Sequence, residues 1–305
     1  MSEQLSDTDL LAFLKTLLPV KDWRAARLRP LPVNYTSRFW RMDVPDRVYV
    51  IKEFFPDNEE NPLYPTLPHQ EADALNVLAR HDLAPDLEAF ATSPTGTPIL
   101  IYGYEPPKSG EIDVGEAADL IGRFAAMSEP VPGHQTVPAG FHEVLERGDA
   151  ILAAIPHSRK AVNLNRLRPV DAAVPRKEIK RSLVHRSFCL GTIQTTGDGA
   201  RLIDWQFAGM GDPVEDIACF VSPGLATLYG LHPLVAELEE LFLEKYPDQQ
   251  IVDRFLTDRT AYHWCLAAYC LMRNETLMHS NAPAARAYGR ALEAEVDLLL
   301  KLRHK

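Results

Sequence analysis

Residues 203–216 read IDWQFAGMGDPVED. Ile203 and Trp205 flank Asp204 at the end of an apolar run that reads as a strand. Asp212 precedes Pro213 in a turn that opens a helix, and Asp216 falls in that helix's first turn. Asp204, Asp212 and Asp216 thus fall within thirteen residues, one of them at a strand end, a pattern that suits a metal or a metal held with phosphates. Two of the three also have an ordinary structural use. Asp212 can be the N-cap with Pro213 at the first helical position, and Asp216 an acid favoured by the helix dipole.

Upstream of this stretch, LVH, SFCLGTI and ARLIDW within 183–204 read as short strands around the turn Thr196-Gly197-Asp198-Gly199. Further upstream the pattern is β-rich. ARLRPLP, SRFWRMDV and RVYVIKEFF carry aromatic and β-branched residues, and Pro45-Asp46 separates the last two as a hairpin turn would. LEAFAT and TPILIYGYE form a further pair around Ser93-Pro94-Thr95-Gly96, and 66–81 has helical spacing between the two groups. Residues 7–19 are an amphipathic helix with Leu10, Leu11, Phe13, Leu14, Leu17 and Leu18 apolar and Ser6 or Asp7 as cap. Beyond Glu105 the chain is mostly helical, over 112–127, 140–155, 213–221, 231–245, 249–280 and 283–303. Strands first and helices after predict an α+β fold in two lobes with a cleft between them. The expected division is an N-terminal helix over 1–19, a five-strand antiparallel sheet with one helix over 20–104, and a helical part over 105–305 that includes 183–216.

The chain has 305 residues and a formal charge of -10, with 46% hydrophobic residues, enough for a sizeable core. No apolar run approaches the ~18 residues of a membrane span. The N-terminus carries acids before its apolar positions, unlike a signal peptide. Cys189, Cys219, Cys265 and Cys270 form no CxxC pair, so neither a zinc site nor a disulfide framework is expected, and a cytoplasmic location is the default. A pI near 5.5 argues against a nucleic-acid binder, which needs a basic face. One stretch runs the other way. From His157 to Arg181 the net charge is +6, leaving -16 for the rest; such a run is a solvated face or a contact for an acidic ligand or partner.

Lys52 lies on the strand VYVIKEFF, and alternation puts it on one face with Val48, Val50 and Phe54. A lysine there must find a partner or carry its amine to water. Glu71 opens a helix whose buried stripe includes Leu75 and Leu78. It is either the partner of such a lysine or a first-turn acid suited to the helix dipole.

The order strand Lys52, helix Glu71, LVHRSFCLGTI, LIDWQFAGMGDPVEDIA resembles the aminoglycoside phosphotransferase and choline kinase family across about residues 20–280. The resemblance implies a protein-kinase-like fold, an ATP·Mg²⁺ cleft and phosphoryl transfer to a hydroxyl of a small molecule. By position, it gives Lys52 to the α- and β-phosphates, Glu71 to the orientation of Lys52, and Asp204 to Mg²⁺. Asp216 would brace the catalytic loop and Asp212 has a structural place beside it.

Two departures matter. The family's loop resembles H-x-D-x-x-x-x-N, whereas this chain has His185-Arg186-Ser187-Phe188-Cys189-Leu190-Gly191-Thr192. Ser187 stands where the aspartate base would be, and Thr192 where an asparagine would hold a second metal. A serine has no useful proton affinity at neutral pH, and a threonine hydroxyl is a poorer metal ligand than an amide oxygen. The second departure is glycine. The first glycine is Gly96, so the phosphate-loop position holds Val33, Asn34, Tyr35, Thr36 and Ser37, of which Ser37 still offers a hydroxyl to a nucleotide. No GxxxxGK[ST] occurs, which excludes a P-loop site. The expectation is a catalytically degenerate family member acting through binding or regulation, with Mg²⁺ and ATP binding weakened or lost. The alternatives are an active small-molecule kinase and another nucleotide reaction on the same fold.

Overall fold

The computed structural model describes residues 5–31, 36–55, 61–104, 113–127, 131–170, 179–197 and 199–303. The chain divides into two compact units: Met1–Ser109 with Val131–Gly133 and Gln194–Phe207, and Gly110–Pro130 with His134–Ile193 and Ala208–Lys305. Residues 194–207, which carry Asp204, therefore group with the N-terminal sheet and not with the helical part. The expected boundary near Tyr104–Ser109 falls, beyond Tyr104, outside the described residues, as do Val33, Asn34 and Tyr35.

The first unit opens with α1 (Asp7–Leu17), whose N-cap Ser6 accepts the Asp9 N–H. Then come β1 (Arg27–Pro30), β2 (Ser37–Val44), β3 (Arg47–Phe54), α2 (Pro68–Leu78), β4 (Leu87–Thr92) and β5 (Pro98–Gly103). They form the expected five-strand antiparallel sheet in the order β1-β2-β3-β5-β4. The β2–β3 hairpin closes at Val44↔Arg47, around Pro45-Asp46. Leu10, Leu14 and Leu18 pack α1's side onto Trp40, Met42, Tyr49, Ile51, Ile99 and Ile101, so the N-terminal helix belongs to the same core as the sheet. On the opposite face Lys52 lies between Phe39 and Leu100 of the flanking strands. Because both faces are covered, β3 is buried without interruption from Tyr49 to Phe54 and the period of two disappears from its burial. Gln194–Phe207 add a small hairpin of β7 (Ile193–Thr196) and β8 (Gly199–Leu202), tied to the rest of the unit by Leu202 N–H donating to Leu83 C=O. Asp198 of the expected turn lies outside the described residues.

The second unit is built on α9 (Gln249–Thr276), 28 residues long and buried nearly all round through its middle. An all-round apolar helix must be central, and α9 packs against α4 (Gly140–Ala153), α5 (Arg159–Asn165), α6 (Val214–Val221) and α10 (Ala282–Arg303). α3 (Val114–Ala125) packs on α8 (Ala236–Lys245), and α7 (Pro223–Leu228) on α10. β6 (Ser182–Val184) pairs with β9 (Gly209–Gly211) and frames the segment between them. All four cysteines are buried thiols. No helix among the described residues is long and apolar enough to cross a membrane.

Candidate active site

In the first unit three charged side chains meet. Lys52 Nζ donates to Glu71 Oε2 at 2.7 Å and to Asp204 Oδ1 at 2.6 Å. The ammonium also sits over the rings of Phe54 and Phe39, 4.8 and 5.6 Å from their centroids. Both readings left open by the sequence are thereby decided: Lys52 is fully buried, not extended to water, and Glu71 is its partner as well as a first-turn acid of α2. Burial alone would lower the lysine's pKa, yet Asp204 and Glu71 outweigh it and the net direction is upward. Burial pushes the Glu71 carboxyl up to about 7, against the pull of Lys52 and a hydrogen bond from the Trp205 N–H. The triad holds two carboxyls against one ammonium, so it carries surplus negative charge once Glu71 is ionised, above about pH 7. Asp204 has φ 68°, a left-handed conformation uncommon for a non-glycine residue and of the kind that concentrates at functional sites. Ser37 opens β2 opposite Phe54 and is fully buried, so its hydroxyl is not presented at the surface. Its neighbour Thr36 donates to Gln206 Oε1 at 2.9 Å, a contact that sequence reading missed.

In the second unit the loop 185–192 is held chiefly by α6. Asp216 accepts the N–H groups of both His185 and Arg186, at 2.9 and 2.7 Å. Burial pushes its carboxyl up to about 7, although those two donors hold it down. Glu215 Oε1 accepts from Arg186 Nε at 3.0 Å, and the Cys219 thiol donates to the Arg186 carbonyl at 3.3 Å. Phe188 stacks on Phe220, ring centroids 4.9 Å apart. Arg186 has φ 67°, so the backbone turns sharply between His185 and Ser187, and the Ser187 hydroxyl lies 3.2 Å from His185 Nδ1. The Thr192 hydroxyl accepts from Cys189 N–H at 3.1 Å and donates to the Cys189 carbonyl at 3.0 Å, closing a short 3-10 turn over Leu190–Thr192.

Asp212 is fully buried. Its Oδ1 accepts from Val214 N–H at 3.1 Å and from Arg254 of α9. The helix begins one residue later than the sequence implies, with Pro213 at the N-cap and Asp212 before it, but the carboxylate still serves the first turn. The pairs Arg186–Glu215 and Arg254–Asp212 carried no sequence signal, since each joins side chains 29 and 42 residues apart. In the basic stretch, Arg168 binds Asp149 through two nitrogens and Arg181 binds Glu143, so part of that charge is structural. Residues 171–178 lie outside the described residues. Among the described residues no group of three or more His, Cys, Asp or Glu is arranged to hold a metal by protein ligands alone.

Chemically, the first unit offers a buried ammonium beside a carboxylate with surplus negative charge around it. The second offers a rigid loop presenting a serine against an imidazole. The described part of the loop contains no carboxylate at position 187 and no amide at 192.

Comparison with solved structures gives a fold shared over nearly the whole chain. The choline kinase LicA of Streptococcus pneumoniae is 16% identical, with 95% of this chain and 98% of that one covered and a TM-score of 0.64. A choline/ethanolamine kinase family protein of Mesorhizobium loti is 13% identical over 97% and 95% of the two chains, with a TM-score of 0.63. The spectinomycin phosphotransferase APH(9)-Ia, solved with ADP and spectinomycin, is 12% identical over 96% and 98%, with a TM-score of 0.59. No curated protein matches in sequence. The model of the phosphotransferase enzyme family matches residues 27–254, which spans β1 to the start of α9. With three quarters of its length matched by that model, the chain belongs to the phosphotransferase enzyme family.

Proposed function

We propose that this chain keeps a magnesium–nucleotide site and has lost the groups that drive transfer to a small-molecule hydroxyl, so that it acts through binding or regulation. The observation that carries the reading is the contrast between two clusters. Lys52, Glu71 and Asp204 are assembled at ion-pair distance, whereas the Thr192 hydroxyl is engaged within its own loop and position 187 holds serine. Magnesium takes one or two carboxylates and fills the rest of its shell with phosphate oxygens and water. Asp204, in a triad with surplus negative charge, fits one such ion held together with phosphates. Thr192 does not supply a second. When bound, the metal and the nucleotide bring the phosphates and a phosphoryl group to be transferred. Lys52 pairs with the α- and β-phosphates, Glu71 keeps Lys52 in place, and loading exchanges the Lys52–Asp204 contact for phosphate and metal contacts.

A second reading is favoured by one observation. α6 holds the loop backbone at His185 and Arg186 and stacks Phe220 on the Phe188 ring, and phosphoryl transfer is largely positioning and electrostatics. On that reading the protein phosphorylates a small-molecule hydroxyl slowly, without an aspartate base.

Thermal denaturation with ATP, with and without Mg²⁺, tests the nucleotide half. Wild type should gain stability from millimolar Mg·ATP, Lys52→Ala should lose most of the gain, and Asp204→Ala should lose its Mg²⁺ dependence. No gain in wild type would sink the proposal. Turnover of ATP across amino-alcohols, aminoglycosides and sugars tests the other half, and brisk turnover of any of them establishes the active-kinase reading instead.

A further inference from the structure

Two cations of the basic stretch, Lys160 and Arg166, make no ion pair among the described residues, and both border a cleft of about 510 Å³ in the second unit. The cleft lies between α5 and α10, with α9 beneath it. Its floor is apolar. Leu164 and Leu271 are buried there, and Leu167, Leu292 and Val296 show part of their surface. Gly289 gives α10 no side chain at this wall, and a Cβ there would lie 3.1 Å from Asn274 Nδ2. Hydrogen bonds tie off both ends. At one end Lys160 Nζ reaches Asn274 Oδ1 at 3.4 Å, and Asn274 Nδ2 donates to the Ala285 carbonyl at 2.7 Å. At the other, Arg303 donates to the Arg166 carbonyl at 3.0 Å. The cleft is therefore bounded by three helices and has the size and apolar lining of a small-molecule site.

Its charges are sorted by sign. Lys160 and Arg166 stand on the α5 side, Glu293 and Asp297 on the α10 side. All four are exposed, and no described residue forms an ion pair with any of them. Helix formation does not account for this arrangement. Glu293 and Asp297 lie in the middle of α10, beyond the reach of its dipole, and one turn apart, where like charges repel. Lys160 falls in the first turn of α5, the end that favours acids. A face that serves only solvation mixes its signs. Here an apolar floor separates them.

We propose that this cleft binds a small zwitterionic amphiphile. The apolar body rests on the leucine floor, an anionic group faces Lys160 and Arg166, and an ammonium group faces Glu293 and Asp297. A neutral apolar molecule satisfies neither wall, and a singly charged one satisfies only one. Because the two signs stand on opposite walls, the class is one whose charges sit at opposite ends, as in a short apolar peptide with free termini. The site is separate from the nucleotide reading: every residue of it belongs to the second unit, and none to the loop 185–192.

The test is calorimetric titration of the full chain with trileucine, N-acetyl-trileucine, trileucine amide and triglycine. Trileucine should bind most tightly, and each capped form about threefold more weakly, the scale of one exposed ion pair. Triglycine, which brings both charges and no apolar body, should not bind at millimolar concentration. The walls are then reversed in sign. In Glu293→Lys with Asp297→Lys, N-acetyl-trileucine should bind better than the amide; in Lys160→Glu with Arg166→Glu, the amide should bind better than the acetylated form. Thermal denaturation without peptide checks folding, and because the four side chains are exposed both variants should unfold near the wild-type temperature. Leu292→Trp fills the floor and should weaken all the leucine peptides together. Absence of trileucine binding to wild type at millimolar concentration overturns the site. Capped forms that bind wild type as tightly as trileucine, or that keep one ranking in both reversed variants, overturn the zwitterion.

Discussion

Asp216 holds two consecutive backbone N–H groups with its two carboxylate oxygens while almost wholly buried. Its pKa is raised from the ordinary 3.8 to about 7, chiefly by loss of solvation. A carboxyl with a raised native pKa binds its proton more tightly in the folded state than in the unfolded one. Its stabilising effect is therefore complete below pH 3.8 and lost as the pH rises through about 7. Glu71 titrates in the same direction, from 4.5 to about 7. Asparagine at 216 cannot titrate, and it leaves one of the two N–H groups facing an amide donor, which costs about 1–3 kcal/mol. In urea unfolding, wild type should lose stability relative to Asp216→Asn as the pH goes from 4 to 8. Parallel curves for the two proteins would contradict the raised pKa.

α4 and α9 meet where Gly148 faces Trp264. A Cβ at 148 would lie 2.4 Å from Trp264 Cζ3 and 2.8 Å from Cε3, closer than any real contact. Trp264 is fully buried and donates its indole N–H to the Leu164 carbonyl, so the ring has nowhere to retreat. Gly148→Ala should cost about 1–3 kcal/mol by overpacking, even though alanine is the better helix former. Trp264→Phe should absorb part of that cost, and a double mutant whose loss is the plain sum of the singles would show that the ring is not the obstacle. At this scale the long elements were legible, because α9 runs 28 residues with neither glycine nor proline and α10 carries a periodic apolar stripe. The short ones were not. α5 sits inside the basic stretch and reads as a solvated run, although Ser158 caps it and Ala161 and Leu164 are buried. α7 begins Pro-Gly and reads as a loop; its order comes from Glu295 of α10, which accepts from Ser222 Oγ and Gly224 N–H more than 70 residues away. β9 is Gly-Met-Gly, with no strand propensity, and exists because β6 is there to pair with it.

At the scale of the whole chain, Lys52, Glu71 and Asp204 belong to one compact unit and His185–Thr192 to the other. The order of these residues was legible through the family resemblance. The contacts that fix them were not, since Lys52 and Asp204 are 152 residues apart and only folding brings them to 2.6 Å. The division predicts separable phenotypes. Ser187→Asp with Thr192→Asn rebuilds the family's loop chemistry without touching the triad. The asparagine amide oxygen can accept the Cys189 N–H that Thr192 now takes, so the turn should survive. The aspartate would stand against His185 Nδ1, which must then carry its proton, giving a hydrogen-bonded pair where serine and imidazole now meet. The stabilisation by Mg·ATP should therefore stay at the wild-type level, while ATP turnover rises at least about tenfold, within the ~10²–10⁴ that a positioned base contributes. Each single change should give less, because base and metal ligand act on one transition state. A double variant that binds Mg·ATP as wild type does and turns over no faster would mean that the missing aspartate and asparagine are not what limits this chain. The glycine-free segment ahead of β2 would then be the next position to rebuild.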